Sequence, residues 1–129
     1  MKREEIRVKS QAEPISHFTD AVRAGELLFV SGIVAVDRDG HLVGGDDVVE
    51  QIRQVFRNMG EVLTAAGCGF ADVVKVTVFL TDIADRPRIN PVRQEVFGHA
   101  RPASTLIEVS RLAVEGARVE IECVAIVPS

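Results

Sequence analysis

An apolar stretch near the C-terminus, RPASTLIEVSRLAVEGARVEIECVAIV from Arg101 to Val127, is interrupted by polar groups where a buried strand would have none. Ser104, Thr105, Glu108, Glu120 and Glu122 all fall in or beside runs that alternate with a period of two. A carboxylate on a half-buried strand face is costly unless it is paired or used. Glu120 and Glu122, two residues apart, share one face of a strand. Two like charges there raise the pKa of one of them, which suits general acid/base work. Ser104 and Thr105 offer hydroxyls and backbone N–H groups to a polar ligand. The expected arrangement has Glu120 facing Ser104 and Thr105 across a pocket. The bland alternative is a strand carboxylate that is solvated or ion-paired.

Other groups are weaker candidates. Ser31-Gly32 interrupts the apolar run Leu27–Val36, and a glycine there predicts a bulge or a close approach of backbone to a ligand. Asn90 precedes Pro91, so it reads as the cap of a helix with proline at its first position. His17, His41 and His99 fall in loops, and no Cys/His/Asp group has ligand spacing, so no metal is expected. Cys68, in a Gly-Cys-Gly loop, and Cys123, in a strand, read as two reduced thiols without a neighbouring base.

The elements that must position these groups are legible from periodicity. Residues 3–9 predict an edge strand, residues 10–17 a loop, and residues 18–26 a strand segment turning at Ala24-Gly25. Leu27 to Val36 is a strand broken by Ser31-Gly32. Asp46 or Asp47 caps a helix that buries Val48, Ile52, Val55, Phe56, Met59, Val62, Leu63 and Ala66, with Glu50 completing a capping box and Gly67 ending it. Gln51, Arg53, Gln54, Arg57, Asn58 and Glu61 fall elsewhere on that helix. Val73–Leu80 is β-branched and apolar, as a central strand is. A second helix begins within residues 85–90 and runs to Phe97. The two closing strands are joined by the turn at Ala113–Ala117.

The order β, β, β, α, β, α, β, β predicts a single α+β domain over residues 1–129, with two helices on one face of a sheet. Two helices leave the other face bare, at Phe29, Val76 and Val78 or their alternates, and a bare apolar face predicts self-association. The chain carries 47% hydrophobic and 26% charged residues with a net charge of −4, and no Lys/Arg run, which argues against nucleic acid as a partner. No apolar run approaches the ~20 residues that span a bilayer. The charged start, MKREEIRVKSQ, does not read as a signal peptide, which makes the cytoplasm the expected compartment.

Five stretches together resemble the reactive-intermediate (imine/enamine) deaminase family, also called the Rid or YjgF family. They are FVSG at Phe29–Gly32, AAG at Ala65–Gly67, DVVKVTVFLTD at Asp72–Asp82, IN at Ile89–Asn90, and RPAST-x-x-EVSRL through VEIECVAIV at Arg101–Val127. The resemblance covers the chain from about Phe18 on. It implies a chorismate-mutase-like fold, a homotrimer with pockets between subunits, hydrolysis of small imines to ammonia and a carbonyl product, and no cofactor. It also implies that Glu120 is the glutamate acting on water, that Ser31, Gly32 and Asn90 line the pocket, and that Phe18 stands where the family has a tyrosine. This chain has no tyrosine. Ser104 falls where the family carries its substrate-binding arginine, with Thr105 beside it. Arg93, Arg101 and Arg111 are the cations that could replace it. The rival implication is a small-molecule-binding regulatory trimer without catalysis, and a more distant one is an endoribonuclease.

Overall fold

The structure is a computed structural model that describes all of residues 1–129. It contains six strands and two α-helices: β1 (Arg3–Ile6), β2 (Ala21–Ala24), β3 (Leu27–Ile33), α1 (Val48–Ala65), β4 (Val73–Leu80), α2 (Arg86–Phe97), β5 (Ala103–Glu108) and β6 (Val119–Ile126). They form one mixed sheet in the order β1-β2-β3-β6-β4-β5. All neighbours are antiparallel except β4 and β5. The α+β layout of one sheet and two helices is therefore as expected. The two closing strands are not neighbours, however, because β4 lies between them, antiparallel to β6 and parallel to β5. A parallel pair needs a crossover rather than a hairpin, and α2 supplies it between β4 and β5.

Alternation divides the sheet cleanly. Val119, Ile121, Cys123 and Ala125 of β6, with Val76, Val78 and Leu80 of β4, are buried beneath the helices. Val76 and Val78, expected as possible bare-face residues, are instead shielded by the helices, and their alternates Lys75, Thr77 and Phe79 face the other way. On the bare face, Phe29 and Ile126 are each 46% exposed, and Leu27 and Ile107 nearly as much. Register places Leu27 beside Ile126 and Phe29 beside Val124, so these residues form a continuous apolar patch across β3 and β6.

Helix α1 starts at the N-cap Asp47, whose carboxylate accepts from the backbone of Val49 and Glu50, and Gly67 follows it with φ +80°. Its apolar face is buried as the spacing predicts. Two polar residues read as lying off that face, Gln51 and Asn58, are buried too. Each bonds to irregular backbone that no sheet ladder satisfies. Gln51 donates to the carbonyls of Gly45 (2.7 Å) and Gly116 (3.1 Å) and accepts from the Arg118 N–H (2.8 Å). Asn58 donates to the carbonyl of Val36 (2.9 Å) and accepts from Gln54 (2.9 Å).

Helix α2 begins at Arg86, directly after a 3₁₀ turn at Ile83–Asp85. Asn90 is therefore inside the helix and does not cap it; Pro87 is the proline near its start, and Pro91 interrupts its interior. The buried Asp85 beneath that start accepts from Arg118 (2.7 Å). Gln51 and Asp85 thus hold the backbone and the side chain of Arg118, the residue that leads into β6.

Replacing Gln51 by leucine keeps the volume and removes the partner of three part-buried backbone groups. We expect Gln51→Leu to lower unfolding free energy by about 2–4 kcal/mol in urea titrations. A loss under about 0.5 kcal/mol would mean that water replaces those bonds freely.

Candidate functional site

Glu120 lies on the bare face of β6, in a row with Phe79 of β4 and Ile107 of β5. Across it, β3 carries a bulge between Val30 and Ile33, as Ser31-Gly32 predicted. The bulge brings the Gly32 backbone hard against the Glu120 side chain. A Cβ on Gly32 would sit 2.9 Å from the Glu120 carboxyl carbon, and closer still to Oε2. A larger residue at position 32 would push the carboxylate out of this position.

Glu120 is half-buried, and neither of its oxygens has a hydrogen-bond or ion-pair partner within the protomer. Burial pushes its pKa above the ordinary glutamate value, and the neighbouring Glu122 pushes it further in the same direction. The like-charge effect expected from the sequence is present, but it is second to desolvation.

The carboxylate opens onto a pocket of about 150 Å³ at the end of the sheet. Its walls come from Ile33, Val34 and Val36 beyond the bulge, from Ala113 and Val114 before β6, and from the loop that includes Pro14, Ile15 and Phe18. Two polar anchors fix those walls. Asn58 also lines the pocket and holds the carbonyl of Val36. Arg7 gathers the loop, donating to the carbonyls of Gln11 and Ala12 (3.1 Å each) and pairing with Asp20 (2.7 Å) and Glu13 (3.2 Å). Phe18 is about half exposed on the pocket wall. Ser31 is occupied structurally: its hydroxyl donates to the Thr19 carbonyl (2.6 Å), tying the pocket loop to β3.

The remaining candidates lie elsewhere in the protomer. Ser104 is in a row with Val76 and Cys123, on the helix-covered face and two strands away from β6. The expected meeting of Glu120 with Ser104 across a pocket does not occur within one chain, because one residue of register separates the two faces. Thr105 is on the bare face, level with Thr77 and Glu122, and its hydroxyl accepts from Lys75 Nζ (2.6 Å). Ser104 accepts from Arg93 Nη2 (2.7 Å) on α2, and Asn90 lies exposed one helical turn before Arg93. Arg101 and Arg111 are exposed and make no side-chain hydrogen bond. The candidates therefore fall into two groups: Glu120, Gly32, Ser31 and Phe18 at one place, and Ser104, Asn90 and Arg93 at another.

Sequence reasoning missed Asn58 and Arg7. Asn58 was legible only as a polar residue one position away from the apolar helix stripe. The cysteines are free and buried. Burial raises the Cys68 pKa and, with Cys68 and Glu122 nearby, pushes Cys123 up to about 12, so neither is a ready thiolate. Asp37, Asp39 and His41 lie near one another on an exposed turn.

Residues 8–127 match the family model described as Endoribonuclease L-PSP. A RutC family protein of Pyrococcus horikoshii is 40% identical over 124 residues, covering 95% of this chain and 97% of that one. The human 2-iminobutanoate/2-iminopropanoate deaminase is 41% identical over 113 residues, covering 87% and 81%. Among solved structures, a Yersinia pestis protein of the conserved Rid family superposes with a TM-score of 0.92 at 34% identity, over 98% of this chain and all of that one. Escherichia coli TdcF with bound serine superposes at 0.87 and 29% identity, over 95% and 98%.

A carboxyl group whose pKa is raised by folding makes the protein most stable while it is protonated. That stability is fully present below the ordinary value of 4.5 and is lost as pH rises through the folded value. We expect a Glu120→Gln variant to match the parent near roughly pH 4 and to exceed it in thermal midpoint near roughly pH 7. A gap that stays constant with pH would contradict the raised pKa.

Proposed function

The chain belongs to the Rid family, the family of the endoribonuclease L-PSP model, and from that membership we propose that it is a hydrolytic deaminase of small imines and enamines. The observation that carries this reading is the Glu120 carboxylate, held half-buried, unpartnered and with a raised pKa on the wall of a largely apolar pocket. Such a group takes a proton from water and returns one to the departing nitrogen. Water adds to the C=N carbon, the C–N bond breaks, and ammonia leaves with a carbonyl product. Gly32 gives the carboxylate its space, while Phe18 and the loop walls shield the reacting carbon from bulk solvent.

The functional form we propose is a homotrimer. The apolar patch of Leu27, Phe29, Val124 and Ile126 supports burial against another copy. Assembly would also let the Ser104, Asn90 and Thr105 region of one subunit complete the pocket that holds Glu120 of its neighbour. The relatives named as deaminases at about 40% identity support the reaction class. The net charge of −4, with no basic run, weighs against the endoribonuclease reading. The cytoplasm remains the compartment we propose.

Imines generated from amino acids by an oxidase provide the test, with ammonia release followed directly. We expect Glu120→Gln to slow release by about 10²- to 10⁴-fold. Equal rates in parent and variant would remove catalysis and leave the regulatory binding trimer. Sedimentation should give three times the monomer mass, and a folded monomer at micromolar concentration would exclude the shared pocket.

A further inference from the structure

The chain's arginines are treated unequally by the fold. Arg7, Arg53, Arg88 and Arg118 each pair with at least one carboxylate. Arg93 is partly withdrawn from water and pairs with none. Its side chain makes one hydrogen bond, from Nη2 to the neutral hydroxyl of Ser104 (2.7 Å). Burial alone lowers its pKa, with no acid to offset the cost. A guanidinium carries five N–H donors in a planar fork, so most of this one's capacity is unused.

On the opposite face of the sheet, Lys75 donates to Thr105, the next residue of β5, and it too has no carboxylate within ion-pair distance. Arg93 is therefore the one cation that reaches Ser104, on the helix-covered side, in a chain whose net charge is −4. A partly desolvated cation without a counter-charge is destabilising, and the cost is recovered when an anion arrives. Ser104 holds one arm of the fork, fixing its plane and leaving the other edge free. That edge suits the two oxygens of a carboxylate.

We propose that Arg93, oriented by Ser104, is the residue that binds the carboxylate of the substrate. The inference rests on the deaminase reading for its substrate, but not for the binding event itself. It names a cation on α2, where the family resemblance points to a position on β5 occupied here by Ser104. Ligands would then be small 2-imino acids and the 2-oxo acids they yield, and uncharged imines would be poor substrates. Asn90, one turn earlier on the exposed side of α2, is placed to contact the same ligand.

Pyruvate and its uncharged amide separate charge recognition from shape. Titrated into the assembled protein by calorimetry or ligand-observed NMR, pyruvate should bind more tightly than pyruvamide. Arg93→Ala should weaken pyruvate by about 10- to 100-fold and pyruvamide by less than about threefold. Arg93→Lys, which keeps the charge and loses the fork, should fall between. Arg101→Ala and Arg111→Ala should leave both ligands unchanged. Unaltered pyruvate binding in Arg93→Ala, equal loss of both ligands, failure of the parent to bind pyruvate, or loss with Arg101→Ala or Arg111→Ala instead would each overturn the assignment. Absent ammonia release with Arg93-dependent pyruvate binding would defeat the deaminase reading and leave this one standing.

Discussion

The structure depends at one point on a carboxylate pressed against a glycine. Glu120 keeps its place because Gly32 has no side chain, and Gly32 is within reach because β3 bulges there. Neither condition suffices alone. The bulge sets the approach, and a Cβ at position 32 would occupy the carboxylate's present space and force the side chain elsewhere. The carboxylate gains no hydrogen bond in exchange, and burial raises its pKa. A fold selected for stability alone would remove such a group, since an unpaired charge out of water is a net cost. Its retention on a pocket wall is what gives the site a chemical meaning.

Much of the remaining framework holds that contact in place. Arg118 enters β6 two residues before Glu120, and Gln51 and Asp85 fix it from α1 and from the turn that precedes α2. Asn58 secures the chain beyond the bulge, and Arg7 secures the loop that closes the pocket. Gln51, Asn58 and Asp85 are buried, Arg118 is half-buried and Arg7 is at the surface, and each has its partners satisfied. Glu120 and Arg93 stand apart as partly desolvated charges without an opposite charge, one negative and one positive. They lie at different places in the protomer. An acid/base group and an anion-binding group are what a carboxylated imine needs, and assembly through the apolar sheet face would bring them together in the arrangement proposed here.

Much of this was legible in the sequence. The alternation of β6, the β-branched run of β4 and the 3–4 spacing of α1 gave the elements, because each reflects which side of the backbone meets the core. Ser31-Gly32 was legible as a bulge because glycine inside an apolar run has few other uses. What failed did so for physical reasons. Strand order is set by crossovers that no local pattern encodes, so β4 between β5 and β6 was invisible. Without it, Ser104 could not be assigned to the face opposite Glu120. Asn90 before Pro91 has the form of a helix start, but Asp82 and Pro87 begin the turn and helix earlier. Gln51 and Asn58 read only as lying off the apolar stripe, because partners such as Gly116, Arg118 and Val36 lie far along the chain.

Folding leaves Glu120 as a proton carrier in a partly desolvated pocket, and an NMR titration of its side-chain carboxyl carbon, assigned by comparison with Glu120→Gln, reads this directly. We expect a midpoint clearly above the ordinary glutamate value of 4.5, and a shift of that midpoint when pyruvate occupies the pocket. A midpoint at or below the ordinary value, unmoved by pyruvate, would show a solvated strand carboxylate and contradict that role.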